Sequence, residues 1–331
     1  ALPARSEMCI RDRGNDGGTI AANGAQQISA GSLSNVGGTL SSAGTTDTRI
    51  NVAGRFDNSR GTLASNAGNL RLDAVQLLNV AGSIVHAGKG TLTIQANQLD
   101  GAGGSIATAG ALQLDAVTVD HRGATLSADH FNIDSDRFDN QNGKLLATGT
   151  QASRVQATTS LDNSGTGQIA SNGDLTLTTA QFGNAGGTVQ QAGSGTLAIN
   201  AHILNGQDGK LLSNGAVQLT GETTDLRNGT LAAARIAVGT GTLLNAGGSI
   251  IASGTDVLNV YARDRLDNTG GTLAGNGTLD LRSAHLLNNQ GTIQAAGSGS
   301  STLAINQALE NRGGRILTTG DAGISVGTLD N

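Results

Sequence analysis

The chain has 331 residues and a net charge of −5; it is 37% hydrophobic but only 14% charged and 2% aromatic, with 51 glycines and no tryptophan. With no basic run and few rings to stack on bases, nucleic-acid binding has no support, and without a run of 18 apolar residues no helix spans a membrane. Its apolar content is too high and too regular for a disordered glycine-rich chain.

Residues 1–13 (ALPARSEMCIRDR) stand apart, holding the only Pro, Met and Cys of the chain at Pro3, Met8 and Cys9. They lack the glycine corners that follow, and no apolar stretch follows their charges, so they are not a signal peptide. The segment reads as foreign to the protein and as a disordered leader outside the fold. The rest of the chain has no Cys, which fits secretion and leaves no thiolates for a zinc site.

From Gly14-Asn15 onward one phrase recurs: Asn, a short Gly-rich turn, Thr or Ser, then an aliphatic residue. It stands at Asn35-Val36-Gly37-Gly38-Thr39-Leu40, at Asn184-Ala185-Gly186-Gly187-Thr188-Val189 and at Asn268-Thr269-Gly270-Gly271-Thr272-Leu273. The aliphatic residue anchors 15 copies: Ile20, Leu40, Leu63, Ile84, Ile106, Leu126, Leu145, Ile169, Val189, Leu211, Leu231, Ile250, Leu273, Ile293 and Ile316. Intervals of 19 to 24 residues average about 21. A period of this length defines a solenoid, in which one copy cannot bury its own core and stacking supplies it.

Each copy is patterned for strands. Pairs such as Leu70-Arg71-Leu72, Leu197-Ala198-Ile199 and Leu279-Asp280-Leu281 alternate with period two, placing both aliphatics on one face. The Gly pairs between them (Gly37-Gly38, Gly103-Gly104, Gly186-Gly187, Gly313-Gly314) read as corners that need φ > 0. Two or three short strands with tight corners make one coil of a parallel β-helix, about 15 coils in all.

Five residues before the anchor stands Asn in ten copies: Asn15, Asn35, Asn58, Asn79, Asn140, Asn184, Asn245, Asn268, Asn288 and Asn311. Gly101, His121, Ser164, Gly206 and Leu226 hold that place in the others, with Asn163 and Asn205 one residue away. Inward corner asparagines stacked in register would form an amide ladder, and the expected role is structural. The Thr or Ser before each anchor should face outward. Asp57, Asp139, Asp162, Asp267 and Asp330, each just before the column residue or beside it, should be exposed.

Catalysis finds little footing. His86, His121, His130, His202 and His285 are scattered, and His121 reads as a substitute in the Asn column. Asp134, Asp136 and Asp139 lie close together but lack the glycine and closing glutamate of an EF-hand loop; Arg137 and Arg154 are at hand to pair with them. An enzyme on a β-helix needs long loops to wall a cleft, and no interval here exceeds 24 residues. An ice-binding face would need two Thr per coil, yet Ala21, Ser41, Ala64 and Gln294 occupy the second place. No catalytic, cofactor-binding or metal-ligating residue is expected.

Phrases such as Leu161-Asp162-Asn163-Ser164-Gly165 and Leu266-Asp267-Asn268-Thr269-Gly270-Gly271-Thr272-Leu273 resemble the 20-residue hemagglutinin repeats of filamentous-hemagglutinin adhesins and of contact-dependent growth-inhibition toxins. The resemblance covers residues 14–331. It implies a right-handed parallel β-helix exported by two-partner secretion through an outer-membrane transporter and displayed on a Gram-negative cell. The expectation is a structural adhesin shaft, one piece of a longer protein whose secretion domain is missing, with host or neighbouring-cell surface receptors as partners. The alternatives are a toxin shaft and, at greater distance, a glycan-active β-helix enzyme.

Overall fold

The computed structural model describes residues 8–331, with side-chain surroundings from Arg13 onward. The described residues form strands joined by turns, without a helix, so none is long and apolar enough to cross a membrane. The chain divides into two compact units, residues 1–161 and 162–331. In each unit the strands alternate between two parallel sheets, short in one and long in the other.

The short strands are four residues each, as in Thr39–Ser42, Thr62–Ser65 and Thr272–Gly275. Their anchors pair directly: Leu40 with Leu63 and Leu63 with Ile84 in the first unit, Ile250 with Leu273 and Leu273 with Ile293 in the second. Every second residue of a strand returns to the same face, so the anchor and the residue two places on both point inward while Thr or Ser points away. Seven anchors belong to the first unit and eight to the second. Ile20, however, is 39% exposed and Ile316 half-buried. Ile20 lies in the strand Thr19–Ala22, which among the described residues pairs with Thr39–Ser42 alone.

The long strands, such as Thr91–Asp100 and His130–Asp139, carry the L-x-L pair and then bend. In His130–Asp139 the inward residues are Phe131, Ile133 and Ser135, followed by exposed Asp136 and Arg137 and then inward Phe138. Two exposed residues between inward ones break the alternation, which is how one continuous strand serves as two walls of the coil. The bend coincides with register irregularities such as that between Val52 and Arg55. In one coil it interrupts the strand altogether, leaving Ala216–Thr220 and Thr223–Asp225.

Residues 8–13, expected to lie outside the fold, instead belong to a strand, Met8–Gly14, parallel to Gln27–Ser34, with Ile10 opposite Ala30 and Arg13 opposite Leu33. Pairing of this kind uses backbone N–H and C=O groups, which any non-proline residue supplies. Residues 1–7 of the expected leader lie outside the described residues.

Candidate functional site: the asparagine corner

Each short strand is entered through a tight turn, four residues long except after Asn163. The amide of the residue before the Thr donates to the Asn carbonyl, at 3.1 Å from Gly38 to Asn35 and 3.0 Å from Gly271 to Asn268. The third turn residue has positive φ in all 15 copies: nine are Gly, and Arg60, Ala81, Asn142, Asp208, Asn228 and Gln290 fill the rest. That is the demand of a type II turn. The second glycine of each pair was also expected to need φ > 0, and it does not. It is Gly for a different reason: a β-carbon at Gly38 would lie 2.0 Å from the Asn15 carbonyl oxygen, and one at Gly271 2.2 Å from that of Asn245. At these two glycines the preceding coil passes too close for a side chain, whereas the same turn position above Gly101 holds Ala124.

Above this turn the asparagines stack. Asn35 Nδ2 donates to Asn58 Oδ1 at 2.7 Å, and Asn58 in turn to Asn79 at 2.8 Å. In the second unit Asn245, Asn268, Asn288 and Asn311 each donate to the next column member at 2.7 Å. The same Nδ2 atoms reach the carbonyl three residues on in their own turn and a strand carbonyl of the following coil, as Asn268 does to Gly271 at 3.3 Å and Thr292 at 3.2 Å. Two hydrogens thus serve three acceptors. Asn35, Asn58, Asn79, Asn140, Asn184, Asn245, Asn268 and Asn288 are fully buried, Asn15 and Asn311 nearly so.

Two members escaped the fixed spacing. Asn163 is fully buried and donates to Asn184 at 2.7 Å, while Ser164 does not hold the place. Its turn is one residue longer, with Nδ2 reaching Gly167 rather than the third residue on. Asn331 accepts from Asn311. Asn205, by contrast, is exposed, and Gly206 keeps the column position.

The column is interrupted at Gly101–His121 and at Gly206–Leu226. In each case a glycine is followed, one coil on, by a bulky buried side chain. A β-carbon at Gly206 would lie 3.0 Å from Leu226 Cδ2, so Leu226 occupies the space a longer residue would need. His121 Nε2 donates to the Lys144 carbonyl oxygen at 3.1 Å, and the ring leans on Phe138, ring centroids 5.9 Å apart. Burial pushes its imidazole down to about 4, against the smaller opposing effects of the Lys144 carbonyl and Asp120. It is neutral at pH 7.

The aspartates before the column are not simply exposed. Asp57, Asp139 and Asp267 are half-buried and cap the turn, accepting from the amides of Ser59 at 2.9 Å, Gln141 at 3.0 Å and Thr269 at 3.1 Å. This is an Asx turn, a local bond that composition does not reveal. Arginines add to it: Arg55 on Asp57, Arg122 on Asp120, Arg227 on Asp225 and Arg265 on Asp267. Arg122 holds the Asp120 carboxyl below the ordinary range despite partial burial. At Asp57 and Asp225 burial pushes upward, but the turn hydrogen bonds and Arg55 or Arg227 outweigh it.

The remaining polar groups are engaged in similar ways. Asp134 is gripped by both oxygens by Arg154 at 2.8 and 2.7 Å, and Asp136 accepts from Thr158 at 2.6 Å. Buried His86 lies 2.9 Å from both Thr108 Oγ1 and Ala67 O; the carbonyl can only accept, so Nε2 carries the proton. His130 meets Asp129 at 2.8 Å, and His202 and His285 are exposed. An open groove of about 490 Å³ runs past Ala53, Val75, Asn97 and Val117; at its border Asp73 is held by Arg49 and Arg71. No group of three metal-ligating side chains occurs among the described residues.

The haemagglutinin-repeat family model matches the chain in seven stretches, residues 13–60, 57–129, 87–153, 150–198, 192–270, 260–313 and 296–331. A Toxin CdiA of Escherichia coli is 30% identical over 280 residues, covering 82% of this chain and 8% of that protein. A Toxin CdiA of Yersinia pestis is 28% identical over 271 residues, covering 80% and 6%. A Deoxyribonuclease CdiA of Dickeya dadantii is 34% identical over 147 residues, covering 44% and 4%. The chain thus spans less than a tenth of the length of these relatives. No solved structure matches it. Because the repeat pattern, the stacked coils and the family match run together along the chain, it belongs to the haemagglutinin-repeat family, as a β-helical shaft segment of the filamentous-haemagglutinin and CdiA type.

Proposed function

We propose that this segment is a non-catalytic spacer in the shaft of a secreted protein displayed on a Gram-negative cell, exported through a two-partner outer-membrane transporter. It positions a distal region for attachment to host or neighbouring cells. The observation that carries the reading is that the corner side chains are turned on the coil itself. The buried asparagines bond to one another and to turn carbonyls, and the aspartates beside them cap turns or pair with arginine. Coils of 19 to 24 residues leave no loop to wall a cleft. The asparagine column therefore serves cohesion rather than binding.

Within the whole protein, exchanging residues 14–331 for an equal number of other haemagglutinin coils should leave cell attachment intact. Loss of attachment with secretion preserved would place binding within this segment. The relatives named Toxin CdiA favour a second reading, the shaft of a contact-dependent growth-inhibition toxin. Co-culture distinguishes them: a toxin shaft makes producing cells reduce the viability of neighbours on contact, an adhesin shaft does not.

A further inference from the structure

The intervals between successive anchors run 20, 23, 21, 22, 20, then 19, 24, 20, 22, 20, then 19, 23, 20, 23. A single-coil repeat has no reason to order its lengths, yet the order short, long, middle, long, short returns every fifth coil. We propose that this shaft is built from a five-coil module of 105 residues, and that the module, not the coil, is its interchangeable unit.

Residues 79–165 align with 184–270 without a gap, at a constant offset of 105, and 33 of the 87 positions are identical. Much of that identity is the coil pattern itself. The structural features that vary from coil to coil are the better witness, and they recur at the same offset. Both interruptions of the asparagine column do so, Gly101 with Gly206 and the bulky His121 with Leu226. Beside each lies the same fork: Arg122 Nε stands 2.9 and 3.1 Å from the two oxygens of Asp120, and Arg227 Nε 3.0 and 3.1 Å from those of Asp225.

The core repeats a bulky polar contact too. His86 Nδ1 lies 2.9 Å from Thr108 Oγ1, and at the equivalent positions Ser213 Oγ donates to Gln191 Oε1 at 2.8 Å. In both modules a large polar residue on one short strand meets a hydroxyl on the next. These choices come as pairs: Leu226 fills the space beside Gly206, buried His121 follows Gly101 one coil on, and His86 and Gln191 each meet the following hydroxyl. Removing a whole module keeps every such pair, whereas a deletion with a boundary between two partners separates them.

Two deletions test this in the full chain. Removing residues 101–205 takes out five coils and joins Asp100 to Gly206, so that Gly206 and Leu226 follow Asn79 as Gly101 and His121 did. Removing residues 121–205 takes out four coils and stacks Gly101 directly on Gly206, with no bulky residue above Gly101. Thermal unfolding followed by circular dichroism should place the five-coil deletion within about 3 °C of the parent and the four-coil deletion lower by about 5 °C or more. The shorter protein is then the more stable of the two. Equal melting of the two deletions, or a five-coil deletion that melts lower or fails to fold, would overturn the proposal.

Discussion

A β-carbon on Gly271 would stand 2.2 Å from the Asn245 carbonyl oxygen, whereas one on Gly270 meets nothing within 4 Å and is resisted only by its φ of 62°. Gly271→Ala should therefore cost at least the roughly 3 kcal/mol at the upper end of overpacking, and Gly270→Ala only about 1 kcal/mol. Urea unfolding of the two variants checks the order, and equal midpoints would remove the close approach as the reason for the second glycine. His121 gives a pH test. Its folded value of about 4 lies below the ordinary 6.5, so the unfolded chain binds more protons between those limits. Stability is then full above pH 6.5 and falls as pH drops toward 4, by up to about 3 kcal/mol. In His121→Leu that slope should flatten; an unchanged slope would mean that another group titrates there. The turn aspartates act lower. Because Asp57, Asp120 and Asp225 sit below their ordinary value, their contribution is present above about pH 4 and lost beneath it.

Among the elements, the four-residue strand divides sharply between its two faces. Leu273 is fully buried while Thr272 beside it points outward. Leu273→Ala should cost about 2–5 kcal/mol and Thr272→Ala no more than about 0.5 kcal/mol, as read by thermal melting. A Thr272 effect as large as that of Leu273 would mean that the outward column carries stability this fold does not assign to it. The strands were legible in the sequence because period two and a 21-residue recurrence are written in the aliphatics themselves. The corners were legible only in part. Asn163 was missed because one extra turn residue displaces it from fixed spacing, although its Leu-Asp-Asn context matches that of Asn268. The second corner glycine was misread because its constraint comes from the preceding coil, from Asn15 at Gly38 and from Asn245 at Gly271. Asp57 and Asp267 looked exposed because an Asx turn is a matter of geometry, not of composition. The strand at residues 8–13 lies outside the repeat pattern, and its backbone pairing with Gln27–Ser34 emerges only in the structure.

For the molecule as a whole, the account rests on cohesion along the asparagine column rather than on recognition by it. Asn268 both donates to Asn288 and accepts from Asn245, whereas Asn245, which follows Leu226, has an Oδ1 with no donor. Truncating Asn268 therefore removes a link on each side and takes from the buried Asn288 Oδ1 its Asn268 donor, a loss on the order of 1–3 kcal/mol. Truncating Asn245 removes a link on one side only. The decisive measurement is the melting curve of Asn268→Ala against those of Asn245→Ala and the parent, with cell attachment of the whole protein measured in parallel. The predicted result is a lowered melting temperature, lower for Asn268→Ala than for Asn245→Ala, with attachment retained at temperatures where the variants remain folded. An unchanged melting curve for Asn268→Ala together with lost attachment would contradict the account and make the column a binding site.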